Sequence, residues 1–182
     1  MPGYFIAATT YGDAMLIEVL KLTLFPAMMA FAASSDLFTM TIANRVSLIL
    51  IGGFVMLALL TGMSAHAMLV HAGVAAAVLL VTFFCFTRGW IGGGDAKLAA
   101  VTVLWLGLAH LADYLVYASL LGGALTLLLM QYRAMPMPQL LLGREWAERL
   151  HRADCGVPYG IALAVAALMV YPQTEWMSAL SA

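Results

Sequence analysis

The sequence predicts an all-α polytopic membrane protein. It should have about six transmembrane helices with short loops, one surface amphipathic helix, and a single membrane-embedded domain over residues 1–182. Three observations carry that expectation. The chain is 64% hydrophobic and 9% charged, where soluble domains run at about 45–50% apolar and about 25% charged. No Asp, Glu, Lys or Arg occurs between Arg45 and Arg88, a run long enough for two spans of roughly 20 residues each. The remaining basic residues gather in a few short segments. A net charge of −1 offers no basic surface to a nucleic acid, so no nucleic-acid partner is expected.

The first span is expected from about Met15 to Ser34. Glu18 and Lys21 fall on one face of it, three residues apart, and read as an interfacial pair whose long side chains reach toward the headgroups. The segment Ser34 to Arg45 reads as a polar break. Thr61-Gly62-Met63-Ser64-Ala65-His66 is the one turn-like interruption before Arg88. It divides spans at about Val46–Leu60 and His66–Phe86. A glycine-rich loop follows, Arg88 to Lys97, and then a short fourth span from Asp95 or Ala96 to about Leu108–His110. The fifth runs from about Tyr114 to Met130, with small residues Ala118, Ser119, Gly122 and Gly123 spaced for close helix approach. In the polar segment Gln131 to Pro158, Leu142, Trp146 and Leu150 recur every four residues among charges. That is the spacing of an amphipathic helix lying on the membrane surface. The sixth span is expected from Pro158 to Tyr171, with proline in the first helical turn.

Arg45, Arg88, Lys97, Arg133, Arg144, Arg149 and Arg152 all lie in the loops after spans one, three and five; only Lys21 does not. The positive-inside rule therefore puts these three loops in the cytoplasm and both termini outside. Met1 to Tyr11 lacks a basic n-region and a small-residue cleavage site, so the first span is expected to be retained. Cys85 and Cys155 form no C-x-x-C pair and read as free thiols. His66, His71, His110 and His151 show no ligand spacing, so packing is expected of them and no metal.

Span counting brings Asp36, Asp95 and the element Val157-Pro158-Tyr159-Gly160 to one face of the membrane. Charged groups next to membrane spans are costly unless they serve a function. Two carboxylates in one site share a single proton. One can then act as base toward a water and the other as acid toward a carbonyl, with no covalent intermediate, metal or cofactor. On a peptide at a membrane edge this is aspartic protease chemistry. The separate readings are plainer: Asp95 as a helix cap, Asp36 as an interfacial acid. Asp13, Asp113 and Glu175 read as solvated outer ends, and Glu145, Glu148 and Asp154 as a solvated face among arginines. A small transporter or proton-coupled channel using the same acids is a rival reading, although transporters place such groups near the midplane. A non-enzymatic subunit of a membrane complex is another.

Gly92-Gly93-Gly94-Asp95-Ala96-Lys97-Leu98 resembles the G-x-G-D-x-K-L pattern of type IV prepilin peptidases, whose catalytic aspartate would be Asp95. Asp36 followed by Ile42-Ala43-Asn44 resembles the family's first catalytic aspartate and its Ile-Pro-Asn, with Ala43 where proline is usual. Val157-Pro158-Tyr159-Gly160 is similar to the Pro-Tyr-Gly element that opens the family's last helix. The resemblance spans roughly residues 15 to 172. It implies a multi-pass endopeptidase of the bacterial inner membrane, with its active site facing the cytoplasm. Its substrates would be prepilins and pseudopilins with a short basic leader before an apolar N-terminal helix, cut commonly after a glycine. The absence of paired C-x-x-C motifs and of room for the methyltransferase domain resembles the short Flp or tight-adherence branch. Gly92 and Gly94 would let the loop deform around the peptide. Lys97 would orient the loop or bias Asp95, its plainer role being a snorkelling cation. Asn44, Pro158, Tyr159 and Gly160 would support the site locally.

Overall fold

A computed structural model describes residues 11–178; the expectations for Met1 to Thr10, and for the Asp13 side chain, lie outside the described residues. The described residues are helical in eight segments: α1 Tyr11–Thr39, α2 Asn44–Leu60, α3 Ala65–Thr87, α4 Gly93–Leu106, α5 Leu111–Ala134, α6 Glu145–His151, α7 Tyr159–Val170 and α8 Glu175–Ser178. Short 3-10 turns occupy Gln139–Leu141 and Tyr171–Gln173. The described residues contain no strand. By length and composition, α1, α3 and α5 are each apolar and long enough to cross a membrane, while α2 and α7 are shorter apolar helices.

Local chemistry sets the ends. The α2–α3 hairpin turns at Gly62, whose φ is +71°, and the Ser64 hydroxyl then accepts from the Ala67 amide at 3.2 Å to open α3. Gly107, also at φ +71°, closes α4. Glycine takes this left-handed conformation at little cost.

The fourth helix is the hub. It has 14 residues, about 21 Å at 1.5 Å per residue, short of the roughly 30 Å of a bilayer core. It needs no more, because it is enclosed by protein: Leu98 to Leu106 are all buried. It packs against α2, α3 and α7, and α7 in turn packs on α1 and α5. By contrast no residue of α3 is fully buried: Met68, Val74, Ala75 and Val78 pack against the core, while Leu69, Leu80, Val81 and Phe83 are exposed, as expected in lipid.

One end of this bundle is aromatic. The Trp105 ring centroid lies 5.2 Å from Phe25 and 5.4 Å from Trp176, and Phe25 stacks on Tyr171 at 4.5 Å. Their polar atoms are all engaged. Trp105 Nε1 donates to the Leu50 carbonyl at 3.0 Å, Trp176 Nε1 to the Trp105 carbonyl at 2.8 Å, and the Tyr171 hydroxyl to the Lys21 carbonyl at 2.7 Å.

Three expectations need correcting. The first helix runs past Ser34 to Thr39, so Asp36 sits in the last turns of a helix and not in a loop. It ends at Met40, whose φ is +55° and whose amide donates to the Asp36 carbonyl at 2.8 Å, the left-handed helix-terminating turn usually made by glycine. Lys21 does not snorkel: it is 6% exposed, with Nζ 3.1 Å from Glu18 Oε1. The amphipathic segment is a seven-residue helix whose Ala147 and Leu150 are buried, packed on α5 and α1, with Leu142 outside it and exposed.

Candidate active site

The opposite end of the bundle gathers the acids. Asp36, on α1, is 5% exposed. Its Oδ2 accepts the Gly160 amide at 2.7 Å. That donor is available because the first amides of a helix have no partner within it, and Gly160 is the second residue of α7. A Cβ on Gly160 would stand 2.7 Å from both Asp36 Oδ2 and Ile42 Cδ1. The absence of a side chain is therefore what allows α7 to close on the carboxylate.

Asp95 is the third residue of α4 and half-buried. The helix N-cap is Gly92, not Asp95. The Asp95 carboxylate reaches back toward Gly92, where a Cβ would meet its Oδ2 at 2.9 Å. Asp36 and Asp95 share a neighbour: Ile42 lies against Gly160, whose amide binds Asp36, and against Gly94, next to Asp95. Span counting put the two acids on one face; the fold places each beside an element that packs on Ile42.

The glycine loop packs through its bare backbone. A Cβ on Gly94 would lie 3.1 Å from Ile42 Cβ. Ile42 thus sits between Gly94 of α4 and Gly160 of α7, wedging the turn after Asp36 against both. Sequence reasoning gave Ile42 no role of its own. The sequence pointed to it only as the first residue of Ile42-Ala43-Asn44.

The supporting residues sort by distance from the acids. Lys97 Nζ donates to Asn44 Oδ1 at 2.8 Å, tying the start of α2 to the first turns of α4. The side chain that makes this link is exposed. Ala43 has φ −65° and ψ 140°, a conformation proline also adopts, so alanine here preserves the backbone shape. Pro158 is buried at the N-cap of α7, one position before the expected first turn. Tyr159 turns away from the acids. Its hydroxyl shares a 3.0 Å hydrogen bond with the Thr126 hydroxyl, and its ring lies over Gly122, where a Cβ would be 3.3 Å away. The close approach expected of the small residues on α5 is thus realised at Gly122.

An apolar cleft of about 790 Å³, lined by neither acid, opens between α2, α3 and α4. Asn44 and Lys97 line its polar end, and Leu48, Ile51, Ala76 and Leu104 are among its apolar walls. Two of the histidines are engaged with backbone: His71 Nδ1 is 2.8 Å from the Leu104 carbonyl and His151 Nε2 is 2.9 Å from that of Met135. Among the described residues no group of three His, Cys, Asp or Glu side chains is placed to hold a metal ion.

Residues 23–127 match the sequence model of the type IV leader peptidase family. The match covers more than half of the chain and includes Asp36, Asn44 and the Gly92–Lys97 stretch; it ends before Pro158-Tyr159-Gly160. No curated protein and no solved structure matches the chain.

Proposed function

The chain belongs to the type IV leader peptidase family, and from that premise we propose that it is an aspartic endopeptidase whose acid pair is Asp36 and Asp95. It removes the short basic leader of Flp-like prepilins at the cytoplasmic edge of the bacterial inner membrane, with both termini outside. The observation that carries this reading is convergence. Two acids 59 positions apart in sequence each lie against a glycine, Asp36 at Gly160 and Asp95 at Gly92, and Ile42 packs on both Gly94 and Gly160.

The pair begins with one shared proton. The ionised carboxylate takes a proton from water as the water oxygen attacks the scissile carbonyl carbon. The protonated carboxyl gives its proton to the carbonyl oxygen, forming a neutral tetrahedral diol. In the second half the newly protonated acid gives its proton to the leaving nitrogen, a diol hydroxyl returns a proton to the other carboxylate, and the C–N bond breaks. The pair ends with one proton, ready for the next turnover, and no covalent intermediate is needed.

Substrate entry follows from the cleft. Its polar end lies at Asn44 and Lys97, and Lys97 is two residues beyond Asp95. An apolar segment lying there would bring the peptide that precedes it toward the first turn of α4, which carries Asp95. Gly92, at the exposed lip of the loop, lets a substrate backbone approach closely.

Co-expression with candidate prepilins tests this directly. Leader removal, read by gel mobility and N-terminal sequencing, is expected with the wild-type chain and lost in both Asp36→Ala and Asp95→Ala. Processing by either variant at the wild-type rate sinks the assignment.

A further inference from the structure

We propose that the segment carrying α6 is a strap that holds Asp36 in place, with Arg149 as its positioning residue. The proposal rests on the reading of Asp36 as one of the catalytic acids.

The last carbonyls of a helix lack partners within it, and its C-terminus favours a nearby cation. No basic residue occupies the last turn of α1. Arg149, 111 positions further along the chain, supplies one: its Nη1 donates to the Phe38 carbonyl at 2.7 Å. Phe38 is two residues from Asp36. The Phe38 ring also meets Trp146 edge to face, with centroids 6.0 Å apart. The helix end is otherwise held by Met40 in the left-handed region and by short hydroxyl contacts, Ser35 Oγ to the Thr41 carbonyl at 2.8 Å and Thr39 Oγ1 to the Ser35 carbonyl at 2.7 Å. A non-glycine residue in that conformation is costly and persists where surrounding contacts hold it. Arg149 and Trp146 are contacts of that kind from outside α1.

The other end of the strap is anchored just as definitely. Arg133, in the last turn of α5, donates from Nε to the Leu150 carbonyl at 2.8 Å. Its Nη2 donates to the carbonyls of Cys155 and Gly156, at 2.8 and 2.9 Å. These carbonyls lie on the chain leading into Pro158 and Gly160. Asp36 and Gly160 share the 2.7 Å hydrogen bond at the site. One arginine therefore holds the strap to the Asp36 side of that bond, and the other holds the approach to the Gly160 side. Arg149 is on α6, so it fixes the site without touching the reacting atoms.

The test uses the full-length chain and a prepilin that the wild type cleaves. Arg149→Ala is expected to lower kcat by about ten- to a hundredfold, as a small misplacement of a catalytic group does, with KM within about twofold. Arg149→Lys, which keeps the cation and a donor, is expected to restore much of the loss. Trp146→Leu is expected to lower kcat less than Arg149→Ala, and carries the test if Arg149→Ala does not fold. Wild-type kcat in Arg149→Ala, a loss in KM alone, or no recovery in Arg149→Lys overturns the strap. Asp36→Ala is run alongside: if it still cleaves, the acid-pair reading has failed and the strap falls with it. If it is dead while Arg149→Ala is unimpaired, only the strap has failed.

Discussion

The two ends of the bundle are built on opposite principles. At one end Phe25, Trp105, Tyr171 and Trp176 pack ring against ring, and each Trp and Tyr polar atom finds a backbone partner. At the other end Gly92, Gly94 and Gly160 leave room for Ile42 and two carboxylates, and single hydrogen bonds join the elements. Helices α1 and α4 contribute to both, and α7 leads from Gly160 to Tyr171. Aromatic packing supplies many dispersion contacts that do not depend on one geometry. The acid end depends on a few contacts of fixed geometry. The difference teaches that stability and activity should be separable by position along the same helices.

Substitutions can break that separation if it is wrong. Asp36→Asn or Asp95→Asn is expected to cost the most activity, about 10²–10⁴-fold in processing rate, while leaving thermal unfolding in detergent close to wild type. Trp105→Ala should show the reverse at the aromatic end. Emptying a fully buried tryptophan site is expected to cost about 3–5 kcal/mol, seen as a large fall in unfolding temperature. A Trp105→Ala protein as stable as wild type would contradict the picture of that end as the anchor.

Gly160→Ala sharpens the comparison further. The added methyl would meet Asp36 Oδ2 and Ile42 Cδ1, so the carboxylate must leave the Gly160 amide. Overpacking of this kind costs about 1–3 kcal/mol, partly offset by alanine's better helix propensity of about 1 kcal/mol. Processing should therefore fall at least tenfold, by analogy with other displaced catalytic groups, with only a modest change in unfolding temperature. Equal losses in both would mean that the glycine serves folding alone. The smallest effect is expected from Ala43→Pro. The φ of −65° already suits proline, so loss of unfolded-state freedom should stabilise the fold by about 0.4–1 kcal/mol, with processing retained. A destabilised variant would show that the Ala43 amide or the Ile42 backbone cannot accept the ring.

Much of this was legible in the sequence, and the reasons differ by element. The stretch free of charge between Arg45 and Arg88 defined α2 and α3 because the bilayer imposes both length and composition. The end of α1 was not legible. Ser34-Ser35-Asp36 reads as a break in an apolar run, yet the helix continues through it and stops at a methionine in a left-handed turn. Nothing in the local composition marks that turn. The acids shared a face by counting spans, but the Gly160 amide on Asp36 joins residues 124 positions apart, and only the packing of α7 on α1 determines it. The hydrogen bond from Lys97 to Asn44 joins residues 53 positions apart and depends on how α2 meets α4. Arg149 looked like one charge among several on a solvated face. Its role depends on where α6 docks, which no periodicity encodes.

The central claim is that Asp36 and Asp95 work as a single unit. The most direct measurement compares processing rates of Asp36→Asn, Asp95→Asn and the double variant on one prepilin substrate. Residues acting as a unit are non-additive. Each single substitution is expected to fall to the same floor, and the double variant no further. Multiplying losses, or one single variant that retains most of its rate, would contradict it.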